Sequence, residues 1–261
     1  MQITLETKPF ATIESDALVS YVFEESDPIQ GRITELDQFT DGLLRKLAKS
    51  GELTGKPLEM TLVHSPRGLK AERLLLVGAG KKEKFDSAVL RKIGGAALRY
   101  LKSRSVKRFA FLMRESDLTE TGVQTVVEGL LAASFEADKY KSDKKDAKFV
   151  DAVVLAGFPE EKRTIAEKGL DRGRTIADAL NFARDLINEP SNKLTPAILA
   201  DKAAAMAKDA GLSVEILDEK RIAELKMGAL LSVSQGSVEP PRMMIVTYTP
   251  PNASPARPSL V

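Results

Sequence analysis

Cysteine is absent from the 261 residues, which excludes disulfides, thiolate zinc sites and cysteine nucleophiles together. The composition fits a reducing compartment, and cytoplasm is the expectation. Histidine occurs once, at His64. A zinc motif of two histidines one helical turn apart is therefore impossible, and a Ser-His-Asp triad could be built only there. His64 closes an apolar run before a Pro-Arg-Gly turn with no orienting partner in view, so it reads as a surface or hairpin histidine without chemistry. An excess of one charge is also lacking. Lys+Arg at 39 against Asp+Glu at 37 leaves a formal +2, too little for the footprint of a nucleic-acid or anionic-membrane partner. No apolar run approaches the roughly 18 residues of a membrane span, and the N-terminus lacks the basic and then apolar segments of a signal peptide. What remains, 43% hydrophobic and 29% charged, is the balance of a soluble globular chain with one large domain or two ordinary ones.

Short β-branched or apolar runs at 3–5, 17–23, 59–64, 73–77, 108–113 and 152–155 have the length of strands. Helical periodicity lies between them. Val89, Ile93, Ala97 and Leu101 recur every four residues, and Val123, Val127, Leu130 and Ser134 nearly so, which gives each segment one apolar stripe. Strands alternating with helices predict an α/β sheet covered on both faces. A charge-rich connection at 136–149 and a strand at 152–155 precede a long helix from about 160 to 188. Its later half carries Ile176, Leu180, Ala183 and Ile187 on one face, and Pro190 ends it. Beyond it, Thr195 stands where an N-cap belongs, with Pro196 at the first helical position and Gly211 past the end. A strand at 212–217, a short helix capped by Asp218 and a strand at 243–249 follow. Two strands and two helices make an incomplete second α/β unit. The expected organisation is an N-terminal domain over 1–158, a linking helix over 159–188 and an unfinished second domain over 189–261, with Leu260-Val261 as the start of a third strand.

Few residues suggest chemistry. Gly78 and Gly80 follow a strand as in a phosphate loop, but the third glycine of a dinucleotide fingerprint falls on Glu83, and no Gly-Lys-Ser/Thr follows. The pair reads as a glycine turn flanked by the solvated lysines Lys81, Lys82 and Lys84. The lysines of 139–148 are interleaved with Asp138, Asp143 and Asp146, which reads as solvated surface. Neither Glu24, Glu25 and Asp27 nor Asp185 and Glu189 has a spacing that converges on one ion.

The segment from 181 to 249 is more informative as a pattern. Asn188, Pro190, Asn192, Thr195 and Pro196 make an Asn-x-Pro-x-Asn-x-x-Thr-Pro spacing, followed by Met227-Gly228, Gly236-Ser237 and Pro240-Pro241-Arg242. This order resembles the start of the catalytic domain of the leucyl (cytosol) aminopeptidase family. Residues 1–158 more loosely resemble that family's N-terminal domain, a macro-like mixed sheet flanked by helices. The resemblance implies a hydrolase whose two divalent ions, zinc, manganese or magnesium, activate a bridging water and polarise the scissile carbonyl of a peptide substrate. It also implies a hexamer. In the family every metal ligand lies beyond the position of Val261, so no catalytic, metal or cofactor-binding residue is assigned here, and the chain is expected to lack the metal centre and to be inactive alone. A stand-alone macro-like binding or assembly module, for an ADP-ribose-type ligand, DNA or a protein partner, is the alternative, although the near-neutral charge and the imperfect glycine loop count against both ligands.

Overall fold

The computed structural model describes residues 1–143 and 148–250. In chain order its first part comprises β1 (Gln2–Leu5), β2 (Ala17–Val22), α1 (Arg32–Phe39), α2 (Leu43–Ser50), β3 (Met60–His64), β4 (Arg73–Gly78), α3 (Ser87–Ser103), β5 (Arg108–Leu112), α4 (Glu120–Ser134), β6 (Ala152–Ala156) and α5 (Arg163–Ile187). The strands form one sheet in the order β1-β6-β5-β2-β4-β3. All neighbours are parallel except β3, which runs antiparallel to β4 at the edge.

Successive side chains of a strand point to opposite faces, and here both faces are buried. Val19, Tyr21, Leu75, Val77, Phe109 and Phe111 join one core, with Ile93, Val127 and Leu130 of the helices over them. Leu18, Val22, Leu74, Leu76 and Leu112 join the other, against Ile33, Leu36 and Leu44. Parallel strands covered on both sides read as continuous apolar runs, which explains why these strands are legible in the sequence. The expected α/β sheet between helices is what forms. The sequence did not single out α1 and α2. Each is eight residues long, too short to repeat an apolar stripe more than twice.

On one face α3, α4 and α5 pack through glycine. A Cβ on Gly129 of α4 would meet the Arg91 carbonyl oxygen of α3 at 2.2 Å, and one on Gly173 of α5 would meet the Gln124 carbonyl oxygen of α4 at 2.7 Å. The face of α5 that packs inward is accordingly the small one, Ala166, Gly169, Gly173 and Ala177 with Leu170. The larger stripe of Ile176, Leu180 and Ile187 is 40%, 42% and 82% exposed.

Tyr21, at the end of β2, is fully buried and donates its hydroxyl hydrogen bond to Asp117, whose other oxygen accepts from Ser116 Oγ at 3.0 Å. Burial, and then the neighbouring Asp117 carboxylate, push the Tyr21 phenol far above its usual range. Burial also raises Asp117, opposed by the hydrogen bonds from Tyr21 and Ser116 and by the Arg114 charge. Above about pH 10 an unfolded tyrosine loses its proton while folded Tyr21 keeps it. The native state then binds more protons, and stability falls as pH rises. Tyr21→Phe should cost about 1–2 kcal/mol at pH 7, because Asp117 loses a donor, and the deficit should shrink between pH 10 and 11. Urea midpoints of both proteins across that range check it; a constant deficit contradicts it.

From Ala183 onward the chain forms a second compact unit. The division falls within α5, so most of that helix belongs to the first unit. After α5 come α6 (Pro196–Asp209), β7 (Ser213–Leu217), α7 (Glu219–Glu224), α8 (Gly228–Ser234) and β8 (Met243–Thr247). The expected helix-strand-helix-strand order gains α8, a short helix that starts at Gly228 without a side-chain cap to mark it. β7 and β8 pair antiparallel, Leu217 opposite Met243. The expected third strand at Leu260-Val261 lies outside the described residues. Among those that are described, no helix is long and apolar enough to cross a membrane.

Candidate functional site

The glycine turn after β4 is engaged by backbone rather than open to a ligand. Gly78 N–H donates to Glu59 O, Ala79 N–H to Val22 O and Gly80 N–H to Gly55 O, each at 2.8 Å. A Cβ on Gly78 would meet the Lys56 carbonyl oxygen at 1.8 Å, and Gly80 has φ +73°. These glycines close a turn between neighbouring loops, and the amides of Gly78, Ala79 and Gly80 are already donating to backbone.

The other chemical candidates are exposed or held by local partners. His64 is exposed at the end of edge strand β3, opposite Arg73. Lys141 pairs with Asp138 at 2.6 Å, and Lys148 donates to Ser103 O at 2.7 Å; Lys144, Lys145 and Asp146 lie outside the described residues. Asp27 Oδ1 accepts from Ile29 N–H at 3.0 Å, and Glu25 accepts from Gln30 Nε2 at 3.1 Å, so these acids shape the loop before α1. Asp185 is exposed near the end of α5. Among the described residues, no group of three or more His, Cys, Asp or Glu could hold a metal ion.

The Asn188–Pro196 pattern forms the turn between α5 and α6. Asn188 Nδ2 donates back to Arg184 O at 2.7 Å, which closes the last turn of α5. Pro190 O then accepts from Lys193 and Leu194 N–H at 2.8 and 3.0 Å. Thr195 Oγ1 caps α6 by accepting from Ile198 N–H at 3.4 Å, with Pro196 in the first turn. Proline, which has no N–H, fits the first helical turn, where that donor would lack an intrahelical acceptor. The spacing legible in the sequence is thus a helix stop, a tight turn and a capped start. Asn192 is exposed on it.

Fold and turn together define a chain of two α/β units, the division falling within α5. The family model for the cytosol aminopeptidase N-terminal domain matches residues 19–144, and that for the catalytic domain of the same family matches 181–261. The chain belongs to the cytosol aminopeptidase family. It is 43% identical over 250 residues to a probable cytosol aminopeptidase of Solibacter usitatus, covering 96% of this chain and 49% of that protein. To the one from Koribacter versatilis it is 35% identical over 273 residues, 97% of this chain and 53% of that protein. The chain spans about half the length of the curated relatives it matches. Among solved structures, a mutant of tomato leucine aminopeptidase aligns with TM-score 0.79 at 24% identity, over 97% of this chain and 52% of that one. The bottromycin maturation enzyme BotP, solved in complex with Mn, aligns with TM-score 0.69 at 22% identity, over 91% and 46%. Both share the fold. The two metal ions implied by the family do not fit the described residues, which bring no three His, Cys, Asp or Glu side chains together.

Proposed function

We propose that this chain is the N-terminal portion of a leucyl aminopeptidase, a metal-dependent enzyme that releases N-terminal amino acids from peptides, and that it does not itself carry the two-metal centre. The observation that supports this reading is the match of both family domains, in order, on one chain. On this reading 1–158 is the N-terminal domain, 159–188 links, and 189–261 opens the catalytic domain, with the Asn188–Pro196 turn setting where its first helix begins. The complete enzyme would act in the cytoplasm as a hexamer, with manganese or zinc.

The chain alone, given manganese, should release no leucine from a leucyl anilide above the buffer rate. A fusion of the chain to the remaining catalytic sequence of the Solibacter usitatus relative should release it. Turnover by the chain alone would overturn the assignment of the metal centre elsewhere. A folded, metal-loaded fusion without turnover would overturn the peptidase reading.

A further inference from the structure

A cavity of about 550 Å³ opens in the first unit at the carboxyl ends of β1, β5 and β6, the edge of a parallel sheet where ligands of α/β proteins bind. Its volume is that of a small-molecule site. Arg32, the first residue of α1, lines it with a side chain only 14% exposed. Its Nη2 donates to Gly157 O at 3.2 Å and its Nη1 to Glu35 at 3.3 Å, both long, while Nε is buried with no partner. Glu35, itself 44% exposed, pairs with this guanidinium, so Arg32 stands at the cavity wall as a held, partly shielded cation that a second anion could meet through Nη1 and Nη2.

Two lysines stand on the rim. Lys162 is half-buried and has no ion pair among the described residues, and Lys8 is exposed and pairs with Glu6 at 3.4 Å. Glu115 also lines the cavity, and Glu160 lies beside Thr7, so the surroundings suit a compact anion rather than a polyanion. Phe10, Leu118 and Phe158, none more than 7% exposed, supply apolar wall.

We propose that this cavity binds a small oxyanion, a carboxylate or phosphate monoester, carried on an apolar body, with Arg32 and Lys162 holding the anion. The site lies entirely within the first unit, and the proposal does not rest on the peptidase reading.

Calorimetric titration of the full chain with 4-methylpentanoate, phenyl phosphate and inorganic phosphate tests it. At least one of the first two should bind with Kd below about 1 mM, and more tightly than inorganic phosphate; which one binds better identifies the anion. Arg32→Gln should weaken binding roughly 30-fold, the loss of a charged hydrogen bond, and Lys162→Ala about threefold. Circular dichroism of each variant separates lost binding from lost folding, and Lys162→Ala, on the rim, decides the matter if Arg32→Gln does not fold. No binding of either organic anion at tens of millimolar overturns the proposal. So does equal binding of inorganic phosphate, or affinity unchanged in the folded variants.

Discussion

Amides of β7 and β8 should exchange with solvent roughly a thousandfold faster than those of β5 and β6, a gap of about 4 kcal/mol in opening free energy. The second unit buries few large apolar side chains. Among the described residues, Ala200, Ala207, Leu217 and Ile222 are its buried hydrophobic residues, while Ile216, Ile245 and Val246 remain 38%, 39% and 43% exposed on the strands. A two-stranded sheet is marginal in water, and here it rests on one short face of α6 and α7. The central strands differ in kind: Phe109, Phe111, Val153 and Leu155 are wholly buried beneath helices. Hydrogen exchange at neutral pH, followed strand by strand, measures the gap. Uniform protection across both units would contradict the burial argument.

Gly129→Ala should destabilise the first unit by about 2 kcal/mol. The added methyl would sit 2.2 Å from the Arg91 carbonyl oxygen, backbone that can yield only by moving α3 from α4. Overpacking of that kind costs roughly 3 kcal/mol, and the better helix propensity of alanine returns about 1 kcal/mol. Gly129→Leu should leave no folded first unit. Gly228→Ala is the control, since nothing lies within 4 Å of the methyl it adds, and its effect should stay within about 0.5 kcal/mol. Urea unfolding of the three variants checks this. A neutral Gly129→Ala would mean that the contact between α3 and α4 is loose.

Elements and site were legible to different degrees. Strands such as β4 and β5 stand out because residues on both faces are apolar. The turn at Asn188–Pro196 stands out because proline and a capping threonine act locally. The faces of α5 were legible only as a stripe. Ile176, Leu180 and Ile187 share a side, as their spacing says, yet that side faces outward. The inward side is set by Gly169 and Gly173, whose value lies in the backbone they admit from α4.

The sequence by itself therefore determined the strands and the helices other than α1, α2 and α8, the closing and reopening of helices around Pro190, and the family pattern, because each depends on residues within a few positions of one another. Tertiary structure alone decided that β3 is an antiparallel edge, that three helices meet through glycine, and that Arg32 donates to Gly157 O beside a cavity. Those residues are separated by long stretches of chain, and only the shared carboxyl edge of parallel strands brings their charges and walls to one place.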